Sequence, residues 1–210
     1  MAEMKPSNLR VASKQSSNLK LISSAIKSIS EKGINETTMS DVSQGAGLSQ
    51  GIVNFHFKSK ELLLIETLKF ISNEYLQSFQ SSLKKSGSDP RKKIIAIINN
   101  DFSIKICSRD KIALWFTFFS EVKFKPAYHQ ICKQRDLYYQ KMTENIFREL
   151  IKLEKSKISL TNVSNGLQAL VMGLWLDQLV DPDTFKRKKA KEICFNFIKS
   201  NFPKQFKNIL

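Results

Sequence analysis

Apolar residues in this chain recur at three- and four-residue intervals almost from end to end, and only seven glycines and five prolines punctuate them. A helix with one buried face needs that spacing, because 3.6 residues complete a turn. No segment shows the sustained two-residue alternation of a half-buried strand. The chain is therefore expected to be all-α. Leu21, Ile22, Ala25, Ile26 and Ile29 share one face of a helix predicted over 15–32, with Gly33 as its stop. The polar residues 1–14 before it are expected to form a mobile arm. Two short helices follow, over 39–46 and 50–55, separated by Gly47-Leu48-Ser49. Ser59 is placed to cap a long helix from Lys60 to Leu83, with Leu64, Leu68, Ile71, Tyr75 and Phe79 on its core face. Residues 84–90 carry strong turn chemistry, and Pro90 suits the first position of the next helix. Further helices are predicted over 91–107, 111–122, 126–154, 160–180 and 183–200, with Asp181-Pro182-Asp183 as the last break. The resulting division is a small helical head, 1–58, and a larger helical body, 59–210.

Composition bounds the function. The chain has 210 residues and a formal net charge of +15, which suits a polyanionic partner, since Lys and Arg that neutralise phosphates release counterions. The charge is spread along the chain, +4 over residues 1–60 and +11 over residues 61–210, so it permits nucleic-acid binding without placing it. Cys107, Cys132 and Cys194 are odd in number and far apart, which points to a reducing cytoplasm rather than a disulfide framework. No run resembles a signal peptide or a membrane span. The only histidines are His56 and His129, and no His/Cys cluster, nucleotide-binding Gly loop or nucleophile elbow is present. An enzyme is not expected, nor a metal or cofactor.

The segment from Thr37 to Lys60 holds what a helix-turn-helix requires. Val42 and Ala46 face inward on the first short helix, and Leu48, Ile52 and Val53 supply apolar groups after the turn. Gly47 can adopt the left-handed conformation of a tight interhelical turn, and Ser49 can cap the second helix. Gln50, Gly51 and Asn54 then fall where a recognition helix presents side chains to a major groove. In register, Thr37 or Thr38, Val42, Ala46, Gly47, Leu48, Ser49, Gly51, His56, Phe57, Ser59, Lys60 and Leu63 resemble the head pattern of the TetR family of regulators. The chain departs from that pattern at Ser43, where Ala is usual, and at Asn54, where Tyr commonly meets phosphate. Asn54 is left with three readings: a base edge, a phosphate or no contact. Gln50 is the candidate for base readout, since its amide matches the N6/N7 edge of adenine, and Gly51 allows close backbone approach. Ser40, Ser49, His56 and Lys60 are candidates for phosphate contacts. His56 alone also reads as a structural histidine, and Phe55 and Phe57 as core residues.

The body adds a more specific likeness. Trp115-Phe116-Thr117-Phe118-Phe119-Ser120, continuing to Tyr128, and the stretch Gly166–Leu176 resemble the choline-responsive BetI-like branch. A quaternary ammonium has no N–H to donate, so it is bound by aromatic faces within about 6 Å. The resemblance implies a cage drawn from Trp115, Phe119, Tyr128 and Trp175, with Asp101, Glu121 or Asp177 as a compensating carboxylate. The same aromatics at helical spacing also read as core, and a Phe-rich body also suits a lipophilic effector. The last two predicted helices carry Leu167, Leu170, Val171, Leu174 and Trp175 on one stripe, and Phe185, Ile193, Phe197 and Ile198 on another. Two such helices from each subunit would close a four-helix bundle in a two-fold homodimer, with Gly166 and Gly173 permitting close approach. The implied protein is a dimeric repressor of double-stranded operator DNA, controlling osmoprotectant or quaternary-amine genes under a small effector. A purely architectural DNA binder is the alternative that needs no ligand.

Overall fold

A computed structural model describes the backbone of residues 6–155 and 157–207, and the side chains of residues 13–155 and 157–207. Among the described residues the chain forms nine α-helices: α1 (Pro6–Glu36), α2 (Met39–Gly45), α3 (Gln50–His56), α4 (Lys60–Lys85), α5 (Pro90–Asp101), α6 (Arg109–Glu121), α7 (Pro126–Glu154), α8 (Leu160–Val180) and α9 (Arg187–Asn201). The all-α expectation holds. The chain divides into two compact units, one of Met1–Ile71 with Ala113–His129, the other of Ser72–Ile112 with Gln130–Leu210. The first unit thus takes in part of the segment assigned to the body, and its boundaries fall inside α4, α6 and α7.

In the first unit, α1 lays Leu21, Ile22, Ala25 and Ile29 into a core shared with Val42, Val53, Phe57, Leu63, Leu64 and Leu68. The expected mobile arm is corrected from Pro6 onward, where residues 6–14 are helical; residues 1–5 lie outside the described residues. Nothing from Pro6 to Ile29 breaks a helix, and proline at the first position loses only an N–H that would have had no partner. The break does come at Gly33, whose φ of 81° is in the left-handed region. α2 opens on a capping box. Asp41 N–H donates to the Thr38 hydroxyl at 3.0 Å, and Thr38 N–H donates to the Asp41 carboxylate at 2.9 Å. The ammonium of Lys32, 2.7 Å away, holds the Asp41 carboxyl down at about 2, together with the Thr38 bonds. Gly47 takes φ +64° in the turn, as that geometry demands.

In the second unit the apolar faces of α5, α8 and α9 meet around Ile94, Ile97, Ile98, Leu167, Cys194 and Ile198, all buried. Asp89 caps α5 through its carboxylate, and Pro90 is the first helical residue. α5 ends at Asp101, not near 107 as the periodicity suggests. Past that end, the indole N–H of Trp175 donates to the Asp101 carbonyl at 3.1 Å and satisfies an acceptor that the helix leaves without an internal partner. α9 likewise begins at Arg187 instead of 183, because Asp181 accepts from the backbone and hydroxyl of Thr184 and holds a turn there. After α9, Phe202 stacks on Phe147 at 5.9 Å. The buried carboxylate of Glu154 accepts from the N–H groups of Lys204 and Gln205 at 3.2 and 3.1 Å.

The stripes assigned to a dimer face are only partly free. Leu167, Val171, Trp175 and Ile198 are buried within the chain itself. Leu170, Leu174, Phe185, Ile193 and Phe197 are half-buried, and Leu176 and Val180 are exposed. Gly166 serves an internal contact, since a Cβ there would meet the Phe197 ring at 2.7 Å, whereas Gly173 faces open space.

Candidate nucleic-acid interface and effector cavity

The helix-turn-helix is built from α2 and α3 packed on α1. Its outward side carries Ser40, Ser49, Gln50, Gly51 and Asn54, all exposed. Ser49 is the residue before α3, but its hydroxyl makes no cap bond, so it is free to donate outward. Gln50 is steadied from below: the Ser43 hydroxyl lies 3.2 Å from its Oε1 and 2.8 Å from the Ser40 carbonyl. The residue that departs from the family pattern thus touches the candidate base reader. Two of the phosphate candidates are otherwise employed. His56 Nε2 is 2.8 Å from the Ser17 hydroxyl of α1, which ties the end of α3 to its support, and burial lowers its pKa, as does the charge of Lys14. Lys60 donates to the Asn35 carbonyl at 2.7 Å. Phe57 is core, but Phe55 is not: it stands 69% exposed, with the Lys14 ammonium 5.2 Å from its ring centroid. Its exposure follows from its place on α3, one residue beyond the outward-facing Asn54, and no sequence spacing distinguished it from Phe57.

The residues assigned to a cation cage do not come together in one unit. Trp115, Phe119, Glu121 and Tyr128 belong to the first unit; Asp101, Trp175 and Asp177 belong to the second. In the first, Trp115 is buried and stacks on the half-buried Phe119 at 5.7 Å. Tyr128, buried edge-on against Phe118 at 5.1 Å, borders a small cavity with Glu61 and Glu121. Burial and those two carboxylates raise its phenol well above the usual range. In the second, Asp177 is exposed on the opposite side of α8 from Trp175, in a groove shared with Leu174, Phe185 and Ile193. The odd half-turn of spacing between 175 and 177 separates them.

Asp101 and Trp175 do meet, and in company that spacing could not reveal. Asp101 is fully buried at the end of α5. The Tyr75 hydroxyl of α4 donates to its Oδ1 at 2.8 Å, and the Tyr139 hydroxyl of α7 lies 3.4 Å from its Oδ2. Tyr75 stands edge-on to Trp175 and tilted to Tyr139, both with ring centroids 6.3 Å apart. Arg135, also on α7, sets its guanidinium carbon 5.9 Å from the Tyr75 ring centroid. Tyr75, Arg135, Tyr139 and Trp175, with Asp136, Gln168, Val171 and Met172, line a crevice of about 30 Å³. Burial pushes the Asp101 carboxyl up to about 7, against the opposing influence of the tyrosine and Asn100 hydrogen bonds and of Arg135. Tyr75 and Tyr139 are raised well above the phenol range by the same burial and by Asp101. The site is a buried carboxylate bonded by two tyrosine hydroxyls, with a tryptophan bonded to the backbone carbonyl of the same residue. Sequence reasoning found Asp101 and Trp175 but missed Tyr75, Tyr139 and Arg135. The available signal was a tyrosine on the apolar stripe of α4, since a buried hydroxyl requires a partner.

A three-helix head whose third helix, α3, exposes Gln50, Gly51 and Asn54, together with a larger helical remainder, is the architecture of a helix-turn-helix transcription regulator. Residues 21–67 match the family described as bacterial regulatory proteins, tetR family, and residues 90–203 match the BetI-type transcriptional repressor, C-terminal. The chain belongs to the TetR family, in its BetI-type branch, a family of transcriptional regulators and not of enzymes. It is 26% identical over 178 residues to the HTH-type transcriptional regulator BetI of Paraburkholderia xenovorans, spanning 85% of this chain and 89% of that one. Among solved structures, a putative transcriptional regulator from Pseudomonas aeruginosa superposes with a TM-score of 0.76 at 18% identity, covering 92% of this chain and 93% of that one. A putative transcriptional regulator from Saccharomonospora viridis in complex with choline gives a TM-score of 0.75 at 18% identity, covering 89% and 97%. Among the described residues no helix is long and apolar enough to cross a membrane.

Proposed function

We propose that the protein is a homodimeric repressor that binds a pseudo-palindromic operator through α3 and senses a quaternary ammonium cation, choline foremost, in the cavity of the second unit. The observation that carries this reading is the cluster of Tyr75, Tyr139 and Trp175 rings packed together around the buried Asp101, whose carboxylate the two tyrosine hydroxyls reach. Aromatic faces attract a cation that has no N–H to donate, and the carboxylate supplies the compensating charge. The choline-bound relative in Saccharomonospora viridis supports the same ligand class. Gln50 reads a base edge, Gly51 admits the backbone, and Ser40, Ser49 and Asn54 contact the duplex alongside it. The half-buried Leu170 and Leu174 and the exposed Leu176 and Val180 of α8, with the half-buried Ile193 of α9, form the two-fold interface.

Operator binding requires the two recognition helices to sit about one DNA turn apart, or a multiple of it. The ligand favours another spacing, so choline releases the operator and frees genes of osmoprotectant or quaternary-amine metabolism. Its effect is bounded by its differential affinity for the two states. Fluorescence anisotropy against DNA upstream of the protein's own gene, with and without choline at two salt concentrations, tests this. Saturable binding that survives competitor DNA and weakens with choline is the expected result. Specific binding untouched by choline would remove this ligand class, and binding no tighter than to random DNA would remove the operator reading.

A further inference from the structure

This inference rests on the cation-sensing reading above and concerns how the cavity is kept when empty. The cavity already holds a positive charge of the chain's own. Arg135 is only 7% exposed, and its guanidinium lies over the Tyr75 ring at 5.9 Å, inside the ~6 Å range of a cation–π contact. It is also one of the charges acting on the Asp101 carboxyl. Its Nε and Nη2 donate to the Asp136 carboxylate at 2.9 and 2.5 Å, and Asp136 is half-exposed at the cavity's edge. The free space beside these groups, about 30 Å³, holds a water or two and no trimethylammonium group.

We propose that Arg135 is a resident surrogate cation: it occupies the face of Tyr75 that a ligand's ammonium group takes, and the ligand enters by displacing it. A guanidinium suits the role. It is always protonated, weakly hydrated and planar enough to lie on a ring, so it leaves the cavity electrically balanced without ligand. Asp136 gives it a latch. The side chain can swing toward solvent while retaining its carboxylate partner, so displacement does not strand a buried charge. Two properties follow. Affinity for the ligand is reduced by the fraction of time Arg135 holds the ring, and neutral molecules of similar size are rejected because they cannot replace its charge.

Calorimetric titration of choline and of tetramethylammonium into the wild-type dimer, Arg135→Met, Arg135→Gln and Asp101→Asn tests the proposal. Both Arg135 variants keep the stem and lose the charge, and each is expected to bind either cation about tenfold or more tightly than wild type. Asp101→Asn is expected to lose binding. In the wild-type protein, the Arg135 side-chain Nε–H NMR resonance should carry the ring-current shift of Tyr75 and lose it as choline saturates the site. Equal or weaker binding in both Arg135 variants, or a resonance that stays in place at saturation, overturns the surrogate and leaves the cavity as the sensor. Absence of binding in all four proteins overturns the sensing reading and the surrogate with it. The resonance is read on the wild-type chain, so the outcome survives a variant that fails to fold.

Discussion

The proposed cation site predicts that ligand binding is coupled to a proton on Asp101. Burial raises its carboxyl from 3.8 to about 7 in the free protein. A cation settling above it favours the ionised form, so below that value the ligand must expel a proton. The groups facing Asp101 are Tyr75 from α4, Tyr139 and Arg135 from α7, Cys107 beyond the end of α5 and Cys194 from α9. The phenols lie well above their usual range and the thiols at about 11 and about 12, so both stay neutral near neutral pH. Asp101 alone titrates there. Affinity should be about tenfold weaker at pH 6 than at pH 8, and about half a proton should be released per site at pH 7. Calorimetry in two buffers of different ionisation enthalpy measures that proton directly.

Stability should show the complementary trend. A folded carboxyl raised above its unfolded value favours the fold while protonated in both states. This advantage is complete below about 4 and lost as pH rises through about 7, a span worth on the order of 4 kcal/mol. Asp101→Asn should flatten this part of the pH dependence in thermal melts. A pH-independent choline affinity with no proton release, or an unchanged stability slope in the variant, would refute the reasoning.

The other predictions concern separate parts of the molecule. Gln50→Ala should weaken operator binding by about 1–3 kcal/mol and relax sequence preference at one base pair, as mobility shifts with single-base operator variants would reveal. Phe202→Ala removes a fully buried ring stacked on Phe147 and should cost about 3–5 kcal/mol in denaturant unfolding. Glu154→Ala leaves the N–H groups of Lys204 and Gln205 without their carboxylate, which should cost about 2–3 kcal/mol and speed hydrogen exchange at both amides.

Local chemistry made the helices and the head legible. Gly33, Gly47, Ser59 and Pro90 act at the positions read from sequence, because caps and positive-φ turns depend on a few adjacent residues. The ends of α5 and α9 were misread where a distant or turn-forming group satisfies the backbone beyond the helix, Trp175 in one case and Asp181 in the other. The cavity was legible only in part. Asp101 and Trp175 stood out by residue type, but Tyr75 sat inside an apolar stripe as one more core residue. Arg135 and Tyr139 lie on α7, and their approach to α4 and α5 is a product of tertiary packing that no spacing within a helix encodes. The Trp115–Tyr128 segment drew attention through its aromatics, and those rings pack in the first unit.

The bond from the Trp175 indole to the Asp101 carbonyl has an evolutionary corollary. One side chain satisfies the last carbonyl of α5 and lines the crevice, so exchanging it for a ring without an N–H would leave a buried backbone acceptor without its donor. A lineage drifting toward a new effector pays that cost in stability with any change there, before ligand choice is altered. Tyr75 and Tyr139 reach the Asp101 carboxylate through their hydroxyls alone, and a phenylalanine in place of either would leave the main chain where it stands. Divergence in effector choice among close relatives should therefore accumulate at those two tyrosines and at Arg135, while the tryptophan stays constant.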